Sequence, residues 1–148
     1  MKECVFCKIV KGEIPSHKIW ENKEFLAILD LNPNTKGMTL VLTKKHYPSY
    51  VFEMPDGVYA RLFKTVKVVA KLLDRKLKVQ RTAMSMEGMG VNHAHIKLYP
   101  LHGIRKKFKE TWHPKRVYFE KYPGYLTTQT GRRAKDNELK KLAKKIRK

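Results

Sequence analysis

Acidic residues are scarce in this chain. Its 148 residues hold 13 Asp and Glu against 33 Lys and Arg, a formal net charge of +20 at pH 7. That excess points to anionic partners such as nucleotides, nucleic acid or anionic lipid. A solvated basic surface accounts for it equally well, because charge speaks to steering and solubility rather than chemistry. Cysteine is scarcer still, with two residues in all, too few for a disulfide scaffold. Long apolar runs are missing, so no segment is expected to span a bilayer and no membrane partner is expected. The opening Met1-Lys2-Glu3-Cys4 lacks the apolar stretch of a secretory signal, and the expected compartment is the cytoplasm. Internal repeats are also absent. Against these absences stands a hydrophobic content of 42%, enough for one domain with a real core.

Pattern and turn residues divide the chain into elements. Phe6 to Val10 reads as a short helical turn, stopped by Gly12 and Pro15. His17 to Trp20 and the apolar run Phe25 to Leu29 read as paired strands across a polar turn, Glu21 to Glu24. Asn32-Pro33-Asn34-Thr35-Lys36-Gly37 is a loop rich in turn formers. Met38 to Thr43 is a third strand. Val58, Leu62, Val66, Val69 and Leu73 recur at helical spacing after Pro55-Asp56, a stripe suited to packing on a sheet. Lys78 to Met86 is read as a fourth strand. Glu87-Gly88-Met89-Gly90 is then the turn, with glycines that allow a ligand close to the backbone or simply form a hairpin.

The next stretch, Val91 to Pro100, alternates. In a strand, His93, His95 and Lys97 share one face, about 7 Å apart in sequence. Ala94, Ile96 and Leu98 share the other, a face suited to burial. Pro100 ends the pairing. Near the start, Cys4-Val5-Phe6-Cys7 has a metal-knuckle spacing, since two thiolates on a tight turn can reach one tetrahedral ion. A redox pair wants a preceding strand, and only three residues precede Cys4. Two buried thiols acting as small hydrophobes are the plain alternative. A zinc site needs two more ligands, and His46 and His93 are the candidates.

Several of these blocks, in this order, resemble the histidine-triad (HIT) family, whose motif alternates three histidines with apolar residues. His93-Ala94-His95-Ile96-Lys97-Leu98-Tyr99 has the first two, with Lys97 at the third place. Cys4-Val5-Phe6-Cys7-Lys8-Ile9, Leu26-Ala27-Ile28-Leu29-Asp30, Gly37-Met38-Thr39-Leu40-Val41 and Lys44-Lys45-His46 are similar to the family's other segments. The resemblance covers Cys4 to Pro100.

It implies an α+β, HIT-like fold. An antiparallel sheet of about five strands is expected, with one main helix and a short N-terminal helical turn. It implies hydrolysis or transfer at the α-phosphate of a purine nucleotide or nucleotide conjugate, through a phosphohistidine at His95. Lys97 would bind the phosphate as a fixed charge but is a poorer acid than histidine at neutral pH. Asp30 falls where the family holds ribose hydroxyls; closing its strand against a turn is the competing role. Gly88, Met89 and Gly90 stand where family side chains hold phosphate, leaving backbone N–H groups to do so here. Structural Zn²⁺ on Cys4, Cys7, His46 and His93 is implied, as is a homodimer. A nucleotide- or nucleic-acid-binding protein with weak turnover is the alternative.

The HIT-like domain is expected over 1–103, with 104–148 as a basic, aromatic-containing extension packed on it. Arg105, Lys106, Lys107 and Lys109 lead into Val117 to Tyr125, where mixed aromatics and cations can stack bases or simply cover the domain. Leu139, Leu142, Ala143 and Ile146 mark a C-terminal amphipathic helix with a lysine-rich outer face.

Overall fold

The computed structural model describes residues 4–104, 107–122 and 124. The chain divides after Phe108 into two units, and every regular element among the described residues lies in the first. In order they are α1 (Val5–Lys11), β1 (Lys18–Glu21), β2 (Phe25–Leu29), β3 (Thr39–Thr43), a single 3-10 turn (Val51–Glu53), α2 (Asp56–Leu77), β4 (Thr82–Ser85) and β5 (His95–Pro100). The five strands form one antiparallel sheet in the order β1-β2-β3-β5-β4. This is the α+β architecture expected from the sequence.

Local chemistry sets the boundaries. Gly12 stops α1 in the left-handed conformation, φ 81°, and its N–H and that of Glu13 close on the carbonyls of Ile9 and Lys8. The β1–β2 turn is held by Asn22, whose Oδ1 accepts the N–H groups of Glu24 at 2.9 Å and Phe25 at 2.7 Å. Helix α2 follows Pro55 and ends where Lys78 turns left-handed at φ 55°. That turn shortens the fourth strand. Lys78 to Arg81 leads from the helix, and pairing starts only at Thr82.

The two faces of the sheet are unlike. Phe25 and Ala27 of β2, Val41 of β3, and Ala94, Ile96 and Leu98 meet Leu62, Val66, Val69 and Leu73 of α2. The stripe read from sequence is thus the main core contact, and each buried side chain contributes about 1.5–3 kcal/mol. On the opposite face Leu26, Ile28, Leu40 and Leu42 gather under Phe6 of α1, with Cys4, Ile9, Val10 and Val91 against them. Strands β2 and β3 are therefore apolar on both sides, which is why they read as runs rather than alternations. No helix among the described residues is long and apolar enough to cross a membrane.

In the second unit, described over 109–122 and 124, there is no helix or strand. Trp112 donates to Glu110, the rings of Phe119 and Tyr122 meet edge-on at 5.3 Å, and Trp112 and Tyr118 are exposed. The C-terminal helix expected over Leu139 to Ile146 lies outside the described residues.

Candidate metal centre and histidine site

Strand β5 begins at His95, two residues later than the alternation implies. Before it the backbone kinks, with the N–H of His93 on the carbonyl of Val91 at 2.8 Å and that of Ala94 on Tyr47 at 2.8 Å. Asn92 secures the kink by accepting the Ser49 N–H at 2.9 Å. The kink draws His93 inward, to full burial. Its Nε2 lies 2.7 Å from the carbonyl oxygen of Thr43. A carbonyl can only accept, so Nε2 carries the proton and Nδ1 keeps its lone pair. Burial, only partly offset by the Thr43 carbonyl, lowers the imidazole's affinity for a proton, and neighbouring His46 and His95 add to this.

Around that Nδ1 stand Cys4 Sγ at 3.3 Å and Cys7 Sγ at 3.6 Å, with His46 Nδ1 3.3 Å from Cys7 Sγ. The four ligand atoms lie within 4.8 Å of one another. A tetrahedral ion at the usual zinc bond lengths separates sulfur from nitrogen by about 3.5 Å, close to these spacings. The Thr43 carbonyl behind His93 is the outer partner that orients a ligating imidazole. The donor set can hold a metal ion, and α1 carries Cys7 in its first turn, so a bound ion would tie that helix to the sheet.

His95 has the opposite tautomer. Its Nδ1 lies 2.7 Å from the carbonyl oxygen of His93 and must donate to it, which leaves the lone pair on Nε2. The sequence implied an open face here, but His95 is only 4% exposed. Phe6 covers it edge-on, ring centroids 5.2 Å apart. The apolar side chains of β2 and β3 on this face require a cover, and α1 supplies it. Among the described residues no fully buried side-chain nitrogen or oxygen lacks a partner, and Nε2 of His95 makes no hydrogen bond.

Lys97, one step further along β5, pairs in register with Leu40 of β3 and Ser85 of β4. Its Nζ lies 2.5 Å from Glu87 Oε1, with both side chains largely covered. Burial alone would lower the ammonium's pKa, but the Glu87 hydrogen bond and the charges of Glu87, Tyr99 and Asp30 outweigh it and hold it above the ordinary lysine value. Burial likewise pushes the Glu87 carboxyl up, and Lys97 more than reverses that, leaving it below the usual range.

Asp30 continues the row of Leu26 and Ile28 on the same face as His95 and Lys97. Its Oδ1 accepts the N–H of Asn32 at 2.7 Å, so the turn-closing role is filled, and its charge also reaches Lys97. Gly88 has φ +67°, and a Cβ there would come within 2.7 Å of Ser49 Cβ. Met89 is exposed, and Gly90 has open space beside it. The sheet thus brings together His95, Lys97 and Asp30, and separates Gly88, which the fold itself requires, from Gly90. Glu87 was missed as a site residue because it reads as part of a turn. The signal was available, since a hairpin placing Ser85 opposite Lys97 leaves Glu87 two residues further on the same face.

A five-stranded antiparallel sheet with a cysteine–histidine cluster that could hold a metal ion, beside a tautomer-fixed histidine, defines an α+β protein with a combined cysteine and histidine site. Residues 11–103 match the family model described as HIT domain, and the chain belongs to that family. It is similar to a HIT-like protein of Methanocaldococcus jannaschii, 41% identical over 101 residues that span 66% of this chain and 78% of the relative. An adenosine 5′-monophosphoramidase of Schizosaccharomyces pombe is 36% identical over 98 residues, 66% of this chain and 73% of the relative. Among solved structures, a zinc-bound histidine triad family protein from Mycobacterium smegmatis superposes with a TM-score of 0.64 at 28% identity, covering 76% of this chain and 84% of that one.

Proposed function

We propose that this protein is a HIT-type hydrolase or nucleotidyltransferase acting at the α-phosphate of a nucleotide conjugate, with His95 as nucleophile. The observation that carries the reading is the hydrogen bond from His95 Nδ1–H to the His93 carbonyl, which leaves Nε2 as the one ring nitrogen with a lone pair. In the proposed reaction Nε2 attacks the α-phosphorus, the bond to the leaving group breaks with its electron pair, and a phosphohistidine forms. Water then adds to phosphorus and the P–N bond returns its electrons to Nε2. The released proton passes to solvent, and an alternative acceptor in place of water makes the reaction a transfer. The naming of a related protein as an adenosine 5′-monophosphoramidase supports this class of chemistry.

In this reading Lys97 occupies the third triad place, Asp30 receives the ribose diol with its remaining oxygen, and Gly90 offers backbone N–H to phosphate. Gly88 and Met89 shape that turn. Zn²⁺ is the metal assigned to Cys4, Cys7, His46 and His93, as a closed four-ligand set that supplies structure rather than chemistry. A zinc-bound relative with the same fold supports the assignment. Pairing of two chains and a cytoplasmic location belong to the same proposal.

A second reading, binding of nucleotide or nucleic acid with weak turnover, draws on the cover over His95 and the pairing of Lys97 with Glu87. Incubation with a nucleoside phosphoramidate and a dinucleoside polyphosphate separates the two. Turnover that falls by about four orders of magnitude in His95→Ala, with nucleotide affinity kept, supports the enzyme. Binding without turnover in the unmodified protein supports the alternative.

A further inference from the structure

The ion pair between Lys97 and Glu87 has a bearing on which bond this site can break. Lys97 is the cation nearest His95 along β5, on the same face and about 7 Å away. It is not a mobile surface lysine: its ammonium is 2.5 Å from Glu87 Oε1, and the two side chains are 24% and 18% exposed. Neighbouring strands hold both ends. Ser85, two residues before Glu87, pairs with Lys97 across β4 and β5, and Ser85 Oγ is itself 3.0 Å from the Tyr99 hydroxyl.

We propose that the Glu87–Lys97 pair fits the site to nucleotide conjugates whose leaving group departs as a stable anion, such as phosphoanhydrides and phosphosulfates, and against phosphoramidates. The inference rests on the function proposed above and specifies its substrate class. Its logic is proton supply. When an anhydride is cleaved, the bridging P–O bond breaks, the electron pair stays on a phosphate or sulfate oxygen, and no proton is needed. When a phosphoramidate is cleaved, the departing nitrogen must take a proton from a donor in the site. An imidazolium at the third triad place gives one up readily near neutral pH. An ammonium engaged by a carboxylate does not, because losing its proton would leave Glu87 as a half-buried anion without its partner. The direction of the Lys97 shift agrees. What remains for Lys97 is a fixed positive charge, which suits a leaving anion. Glu87 acts through Lys97 and is a positioning residue rather than a catalytic one.

The experiment measures kcat/KM of the full chain for two substrates that differ only in leaving group, adenosine 5′-phosphosulfate and adenosine 5′-phosphoramidate, with the guanosine pair alongside. The unmodified protein is expected to favour the phosphosulfate by about a hundredfold, the low end of what a matched general acid contributes. Lys97→His should narrow that ratio by about tenfold or more through a gain on the phosphoramidate. Glu87→Gln should narrow it in the same direction, whereas a purely structural defect would lower both substrates together and leave the ratio alone. Equal or better turnover of the phosphoramidate by the unmodified protein overturns this inference and leaves the hydrolase reading standing. An unchanged ratio in both variants overturns it as well. Absence of turnover on every substrate removes the hydrolase reading and this inference with it.

Discussion

The carbonyl of His93 accepts the Nδ1–H of His95 across 2.7 Å, while the His93 side chain turns its own Nδ1 to Cys4 at 3.3 Å. One residue therefore serves both halves of the site. Its backbone fixes the tautomer of the proposed nucleophile, and its ring belongs to the four-residue cluster that could hold a metal ion. Any disturbance of the cluster should be felt at His95 through two residues of backbone.

Metal removal tests that coupling. The protein as isolated without chelators should carry one zinc per chain by elemental analysis. Stripping it, or replacing Cys7 with serine, should lower the melting temperature by about 5 °C or more. The stripped protein should also lose turnover although no metal ligand touches substrate in the proposed reaction. A chain purified free of metal and unaffected by added zinc would contradict the assignment of Cys4, Cys7, His46 and His93.

Phe6 is the point where α1 rests on the sheet, 5.7 Å from the His93 ring and 5.2 Å from His95, centroid to centroid. Phe6→Ala should cost about 3–5 kcal/mol if the cavity stays open, read by denaturant unfolding. Because α1 also carries Cys7, metal affinity should fall in the same variant. Phe6→Leu, which refills much of the space, should recover most of both.

Much of this fold could be read from the sequence. Phe25 to Leu29 emerged with the right bounds, and Val58 to Leu73 as the stripe of α2 that meets the sheet, because a continuous apolar run and a helical period have few other uses. The four side chains that come together where a metal ion could sit were named from a two-cysteine spacing joined to the HIT resemblance. What escaped was the cover over His95. Alternation along one strand tells which residues share a face, but not what a distant helix of seven residues, Val5–Lys11, lays across it. The Glu87–Lys97 pair escaped for a related reason. It depends on hairpin register, and the fourth strand was read as starting at Lys78 when pairing begins at Thr82. The left-handed turn at Lys78 that causes this has no strong signature, since lysine seldom adopts it.

Glu87 and Lys97 should also leave a trace in pH-dependent stability. The Glu87 carboxyl titrates below its ordinary value of 4.5 in the folded chain. Its contribution is present above that value and is lost as pH falls through the lowered one. Lys97 titrates above 10.5, so its contribution is complete below that pH and is lost as pH rises through the raised value. Melting curves of the unmodified protein and Glu87→Gln should therefore differ at neutral pH and converge in acid as pH falls through the lowered Glu87 value. Parallel curves down to acid pH would mean that the pair contributes nothing through ionisation.

Two glycines of the Gly88-Met89-Gly90 turn should separate fold from function. Gly88 sits at φ +67°, and a Cβ there would approach Ser49 Cβ to 2.7 Å and its carbonyl oxygen to 2.9 Å. Alanine at 88 meets both a left-handed backbone and a collision with main chain, and should cost about 1–3 kcal/mol of stability. At Gly90 a Cβ would meet nothing within 4 Å, so Gly90→Ala should change stability by less than about 0.5 kcal/mol. If phosphate comes close to the backbone at 90, as the proposed function requires, that methyl will stand in its way. Gly90→Ala should then raise KM severalfold at an unaltered melting temperature. An unchanged KM would move the phosphate away from this turn and toward the Lys97 side of the sheet.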